Sequence, residues 1–514
     1  MINTSAQNTV KNSVYNFIGF LLPIIVIIFV TPIIISKWGV KDYGVYIFLS
    51  TITIFLGLLD LGVSVATSKH IIEHWSTNNN VKLKRLIYSM NSVYLIMAFA
   101  YLTICTAIGL AIDFFFTDRV GLGTNNYLLI FFIVGATAFF AAIFANFLNI
   151  LSTIQRYDLQ LKISMTFMVL SNFGMLILVL MGYGLITVLL FQLILIILNG
   201  FTCLIIVKKV FPVMKFKYEW DKVEISKNYK FGVSVAFNDL ASSSLVHFDK
   251  LLIPFFLGNA QLTYYSVPGS VATKVSSISG TFSSLLFPIT VNLHALKNIE
   301  KIKRVYIRSV RLITILSASI SLSIIFTADK ILFYWLNADF AEKSLISLIL
   351  LVLTNFILAL FSPLSNLLKA MNKMKFLTAG SFAMAFINIV TLLIFLPKYG
   401  INGAALSYLI SVLFIFFMFS YAERKYFHIH SNVHSKLIIK ILVTTIPFFF
   451  IVKLLLYPLI TSFFTLALIG PTCILIYIFL YKIFGFFENE DWADFKIVVF
   501  KILSKFRFIN KKNV

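Results

Sequence analysis

The chain has 514 residues, of which 60% are hydrophobic and only 12% charged, and its mean hydropathy is +0.94. This composition excludes a soluble globular domain and leaves a polytopic membrane protein. The formal net charge of +23 raises nucleic acid as a partner, but the positive residues gather in alternate loops between apolar runs, which is a topology signal and removes that reading.

Fourteen apolar runs of spanning length follow in chain order: 14–35, 44–67, 86–112, 127–151, 163–181, 185–207, 231–257, 262–289, 310–326, 345–367, 376–396, 404–421, 437–456 and 463–484. About 20 apolar residues cross a hydrocarbon core. Lipid offers no partner to free backbone N–H and C=O groups, so the runs are expected to be helices, giving an all-α membrane protein with 14 transmembrane helices. Short alternating strands of the barrel type are absent from the sequence. The first run is followed by Ser36-Lys37-Trp38-Gly39 rather than a small-x-small cleavage site, and is expected to be a retained span, not a signal peptide. Cys105, Cys203 and Cys473 fall inside separate runs without metal-ligand spacing and read as small core residues.

Loops after even-numbered runs carry the cations, among them Lys82, Lys84 and Arg85, Lys208, Lys209 and Lys222, Lys301, Lys303 and Arg304, and Arg424 and Lys425. The opposite loops hold only Lys37, Lys41, Arg119, Lys330, Lys343 and Lys398, with Lys453 near the end of the thirteenth run. The positive-inside rule places both termini in the cytoplasm. The tail 485–514, with Trp492, Phe495, Val498 and Phe500 among lysines, reads as a basic amphipathic segment suited to anionic headgroups of membrane lipids. The longest loop, 208–230, is too short for a catalytic domain, and Walker, Rossmann, His-Glu-x-x-His and Gly-x-Ser-x-Gly patterns are missing; no enzyme activity is expected.

The second half of the chain repeats the first. Gly39-Val-Lys-Asp-Tyr-Gly-Val-Tyr46 corresponds to Gly258-Asn-Ala-Gln-Leu-Thr-Tyr-Tyr265 at an offset of 219, and Leu151–Leu159 to Leu368–Phe376 at 217. Asn172 corresponds to Asn388, and Tyr183-Gly184 to Tyr399-Gly400, at 216. Four matches in the same order indicate duplication. They pair run one with run seven, so the unit is six helices and the two copies are parallel, with runs 13 and 14 appended. The expected organisation is an N-terminal lobe at 1–207, a cytoplasmic linker at 208–230, a C-terminal lobe at 231–421, the appended pair at 422–484 and the tail.

With this arrangement, Gly39-x-x-x-Tyr43-Gly44, Leu59-Asp60-Leu61-Gly62, Gln155-Arg156-Tyr157, Gly258-x-x-x-x-x-Tyr264, Leu286-Phe287-Pro288 and Tyr399-Gly400-Ile401-Asn402-Gly403-Ala404 resemble the polysaccharide-biosynthesis flippases. These are the O-antigen and lipid-linked oligosaccharide translocases of the multidrug/oligosaccharidyl-lipid/polysaccharide exporter superfamily. The resemblance implies two six-helix lobes in a V shape and a central cavity lined by spans 1, 2, 7 and 8. It implies flipping of an undecaprenyl-diphosphate-linked oligosaccharide repeat unit from the cytoplasmic to the periplasmic leaflet of the bacterial inner membrane, by alternating access. Polymerase and chain-length proteins of the same pathway, such as that of lipopolysaccharide, are the partners it suggests.

The residues themselves point to the same cavity. A charge at the bilayer centre costs about 2.5–3.5 kcal/mol on the most lenient scale, yet runs seven and eight carry Asp239, His247, Asp249, Lys250 and Lys274. At about 100° per residue, Asp239, Ser243 and Lys250 share one helix face, flanked by His247, Ser242 and Asp249. Two readings stand for Lys274: an ion pair with Asp249 or Asp239 that fixes helix packing, or a cation that receives a phosphate or an acidic sugar. Lys250 has the same two readings nearer the outer end. Arg156 reads as a topology anchor or a substrate contact, and Asp60 as a partner of Lys69, a polar helix contact or a cavity residue. His247, or a carboxylate of run seven, would suit H⁺ or Na⁺ coupling; no other cofactor is expected. Tyr, Trp, Ser and Asn are the expected sugar-facing types. A lipid II flippase or a multidrug/cation antiporter of the same superfamily shares the architecture, while a membrane glycosyltransferase would need an extramembrane catalytic loop.

Overall fold

The computed structural model describes residues 6–60, 62–77, 79–115, 126–153, 156–210, 217–284, 286–427 and 433–487. Leu61, Gln155 and nearly all of the expected tail lie outside them. The described residues contain helices and no strand. In order they are α1 (Ala6–Leu58), α2 (Val63–Ser76), α3 (Asn80–Phe115), α4 (Tyr127–Thr153), α5 (Tyr157–Leu180), α6 (Leu185–Val210), α7 (Lys222–Leu257), α8 (Asn259–Ser284), α9 (Leu286–Ala295), α10 (Ile299–Phe326), α11 (Ala328–Trp335), α12 (Ala338–Ala370), α13 (Met374–Leu413), α14 (Ile415–Phe427), α15 (Val433–Phe450) and α16 (Phe463–Ile483). A π-helical turn, Ile451–Leu456, and a 3₁₀ turn, Tyr457–Leu459, extend α15.

Among the described residues, 11 helical runs are long and apolar enough to cross a membrane. The expected fourteen differ from this number at three places. Leu22–Leu58 carries the first two sequence runs around a corner at Gly39 (φ 79°, ψ 168°), and Met374–Phe427 carries the eleventh and twelfth around Gly400 (φ 60°, ψ −142°). Only glycine enters such positive-φ conformations without a Cβ penalty, so a single residue bends each helix. The third place is α8, which is a full-length helix but is so rich in Ser, Thr and Gly that its hydropathy falls short.

Several helix ends recur at the offset of the sequence repeat. Gly258, between α7 and α8, has φ 86° and ψ 165°, nearly the dihedrals of Gly39 at 219 residues' distance. α2 and α9 end 219 residues apart, α3 and α10 begin 219 apart, and α4 and α12 end 217 apart, as do the starts of α5 and α13. α11 has no separate counterpart among the described residues of the first half.

The contacts gather the chain into two compact units, Met1–Ser266 and Val267–Val514. In the first, α4 packs on α3 and α6, α1 on α5, and α7 on α1, α2 and α3. Its core includes Leu86, Met90, Tyr94, Ile150 and Cys203. In the second, α12 packs on α9, α10, α11 and α13, and α16 on α10 and α15. Phe448, Val452, Cys473 and Tyr477 are fully buried there. All three cysteines are buried free thiols, as their positions in apolar runs implied.

α7 begins at Lys222, earlier than the hydropathy run at 231, because Asp221 caps it by accepting from the N–H groups of Val223 (2.9 Å) and Glu224 (3.3 Å). The stretch before it is tied to α3: Ser92 donates to the Glu219 carbonyl at 2.7 Å and Asn91 to that of Lys217 at 3.2 Å. Lys217 donates to Glu219 at 2.8 Å, which holds its ammonium above the ordinary lysine range.

Candidate functional site

Within the first unit the corner at Gly39 packs on the corner at Gly258. Thr263 donates to the Val40 carbonyl at 2.7 Å, and a side chain at Gly44 would run into the Asn259 carbonyl. Small residues of this kind let membrane helices approach at backbone distance. The fold of this corner carries Tyr265 back onto α7, where its hydroxyl donates to Asp249. The other Asp249 oxygen accepts the Lys250 N–H at 2.7 Å. Asp249 is 2% exposed, so both oxygens of a deeply buried carboxyl group are satisfied from the corner itself. Lys250 lies within electrostatic reach of Asp249, with no salt bridge between the two among the described residues.

The remaining groups on α7 are more open. His247 is half-buried and its Nδ1 has no partner among the described residues. Lys250 lies one turn beyond it, half-buried, with no ion pair among the described residues. Asp239 is exposed, with Asn238 donating to it at 3.5 Å.

Asp60 stands in the break between α1 and α2, where Gly62 adopts φ +69° and lies so close to the Gly232 carbonyl of α7 that no side chain fits. One Asp60 oxygen accepts the Ser64 N–H of the first turn of α2 at 3.2 Å, so the carboxylate serves the helix start and not Lys69. The other oxygen is buried without a hydrogen-bond partner among the described residues. Asp60 also lines a cavity of about 270 Å³, together with Thr53, Ser64, Tyr94, Tyr101, Asn149 and alanines of α4. Asp239 lies within electrostatic reach of Asp60, as do Tyr94 and Tyr101. A carboxylate, two tyrosines and small walls are a chemistry suited to hydroxyl-bearing ligands, whose O–H groups donate to the acid and whose rings lie on the aromatics.

Arg156 does not join this group. It is exposed and makes a two-point contact with Asp158, at 2.9 and 3.1 Å.

In the second unit, Lys274 is half-buried near the middle of α8, and no carboxylate of that unit pairs with it among the described residues. The hydroxyls around it are turned inward on their own helix: Ser270 donates to the Val267 carbonyl at 2.6 Å, Ser277 to Thr273 at 2.8 Å and Thr281 to Ser277 at 3.0 Å. Such back-bonding satisfies hydroxyls in a membrane helix. It leaves oxygen lone pairs, and one ammonium, as the polar groups this stretch of α8 presents.

Sequence reasoning missed Tyr265, the tyrosine pair of the cavity, and a polar cluster on α2. Tyr94 and Tyr101 are seven residues apart on one face of α3, a spacing that could have marked them. His70 and His74 escaped because α2 continues past the apolar run that ended at 67. His70 Nδ1 lies 2.8 Å from Asn228 Oδ1 and His74 Nε2 is 3.9 Å from Glu224 Oε2, both on α7.

The sequence model of the polysaccharide biosynthesis protein family matches residues 39–344. The chain belongs to that family. This polysaccharide biosynthesis protein is 21% identical over 438 residues to a Shigella flexneri protein named as an O-antigen transporter, an alignment covering 79% of the present chain and 96% of the relative. The turn-and-glycine resemblance seen in the sequence is thus borne out at the level of the family. Its fold is similar to that of lipid II flippase MurJ in an inward closed conformation, with a TM-score of 0.72 at 16% identity, covering 92% of this chain and 100% of that one. A multidrug resistance MATE family transporter of the MOP superfamily, inward-facing, gives a TM-score of 0.54 at 13% identity over 83% and 97%. At these identities the likeness is one of fold.

Proposed function

We propose that this polysaccharide biosynthesis protein is a flippase for an undecaprenyl-diphosphate-linked oligosaccharide repeat unit, moving it from the cytoplasmic to the periplasmic leaflet of the bacterial inner membrane. The observation that carries this reading is Lys274: a half-buried cation in mid-helix, with no acidic partner in its unit among the described residues, on a span too polar to face lipid. A buried ammonium without a counter-ion is costly. A diphosphate passing through supplies the missing charge, while the prenyl tail stays in hydrocarbon. The repeats, residues 1–207 and 231–421, serve as the two lobes of an alternating-access cycle. Asp60 and its tyrosine-lined cavity take up sugar hydroxyls. Lys250, Asp239 and His247 are further polar groups of the first unit, and Asp249 holds the α7–α8 corner. A membrane potential negative inside favours outward movement of the anion by about 2.3 kcal/mol per charge per 100 mV. H⁺ or Na⁺ coupling through His247 or Asp239 supports the return stroke.

The experiment is flipping of the lipid-linked repeat unit in reconstituted vesicles, with potential, pH gradient and Na⁺ gradient imposed separately. Lys274→Ala should lower the rate at least tenfold at normal protein level, and Lys274→Arg should retain part of it. His247→Ala and Asp239→Asn should blunt only the response to an ion gradient. Full flipping by Lys274→Ala would remove the diphosphate-receptor role, and an unchanged gradient response in both other variants would leave the potential as the driving force.

A further inference from the structure

A further polar feature lies in the second unit. At the end of α14 a cleft of about 510 Å³ is lined by Ser420, Tyr421, Arg424 and Lys425. Phe376 of α13 stacks on Tyr421 at 5.5 Å between ring centroids and stands edge-on to Tyr426 at 6.0 Å. Lys425 lies 5.0 Å over the Tyr421 ring and donates to its hydroxyl at 2.6 Å, while Lys373 lies 5.3 Å over Tyr426. The acid next in sequence, Glu423, is buried and accepts from Tyr306 at 2.6 Å, so it does not neutralise the cleft.

We propose that this cleft binds the headgroup of an anionic glycerophospholipid. The Arg424 fork matches two phosphate oxygens, and Lys425 adds a point charge beside it. The Tyr421 oxygen already accepts from Lys425, which leaves its O–H to donate to the phosphate. Ser420 donates to the Phe416 carbonyl at 3.1 Å, so its oxygen is left to accept a hydroxyl of a glycerol headgroup. A choline headgroup suits the cleft poorly, because Phe376 already stacks on Tyr421, Lys373 lies over Tyr426, and the Arg424 and Lys425 cations repel a third. Phe417 of α14 and Leu413 at the end of α13, four and eight residues before Tyr421 and 73% and 43% exposed, offer an apolar track for an acyl chain.

Free inorganic phosphate shares the headgroup's charge, so the test separates the two. The full-length protein in detergent is titrated with dioleoylphosphatidylglycerol and with dioleoylphosphatidylcholine, with binding followed by native mass spectrometry. Phosphatidylglycerol should bind more tightly. Arg424→Ala/Lys425→Ala should weaken it about thirtyfold, at about fivefold for each interfacial cation. Tyr421→Phe keeps the stack on Phe376 and should weaken binding severalfold, which guards against a misfolded double variant. Lys208→Ala/Lys209→Ala, an equally charged and exposed pair at the end of α6, should change binding less than about twofold. Equal losses in the two double variants, equal binding of the two lipids, or full displacement by inorganic phosphate would each overturn the proposal.

Discussion

At the scale of single residues, Asp249 shows how a buried carboxyl group is kept in a membrane helix. Its two oxygens take the Tyr265 hydroxyl and the Lys250 N–H. Tyr265→Phe therefore leaves one oxygen unsatisfied in a site 2% exposed, at a cost of about 1.5–3 kcal/mol for a bond to a charged group. The melting temperature of the purified protein should fall, and adding Asp249→Asn should recover part of the loss because no charge then remains to be satisfied. An unchanged melting temperature in Tyr265→Phe would mean that this bond does not hold the corner. Asp249 and Lys274 were legible in the sequence because charges inside apolar runs stand out against their cost. Tyr265 was not, since a tyrosine in such a run is unremarkable until the corner at Gly258 folds it back sixteen residues.

At the scale of elements, the helices were legible because lipid forces every apolar run to satisfy its backbone internally. Their joints were not. Gly39 and Gly400 bend helices that hydropathy divides differently, and the break at Leu59–Gly62 lies inside an apolar run, where only the positive φ of Gly62 and the Asp60 contact to Ser64 mark it. Beyond that break α2 is fastened to α7 by Asn228, which donates to Thr67 at 3.2 Å and meets His70 at 2.8 Å. Both helices lie in the first compact unit, whereas the sequence repeat assigns α2 to the first copy and α7 to the second; if the copies move as the lobes, the cycle parts these helices. Thr67→Cys/Asn228→Cys, bridged by a short cleavable thiol reagent, should stop flipping, and cleavage of the bridge should restore it. Normal flipping by the bridged protein would show that α2 and α7 travel together.

At the scale of the whole molecule, direction of transport depends on orientation, which rests on the distribution of lysine and arginine. The helix boundaries sharpen the test. Asn259, at the start of α8, is 5% exposed against the Gly39 corner and would label poorly on either side. Lys222 and Lys301 at the starts of α7 and α10, and Asn126 and Lys398 in cation-poor stretches of the sequence, are exposed. Single cysteines at these four positions, in a background lacking Cys105, Cys203 and Cys473, should divide cleanly. An impermeant thiol reagent applied to intact cells should reach Asn126→Cys and Lys398→Cys and spare Lys222→Cys and Lys301→Cys until the membrane is opened, because the cation-rich loops are held inside. The offset of 219 between Asn80 and Ile299, the first residues of α3 and α10, adds a constraint. If the repeats are parallel, a cysteine at Lys82 must behave as one at Lys301 does. Labelling of Lys222→Cys from outside would invert the orientation, and the direction of transport with it. Opposite labelling of Lys82→Cys and Lys301→Cys would instead sink the parallel duplication, leaving the recurring helix ends without a common topology.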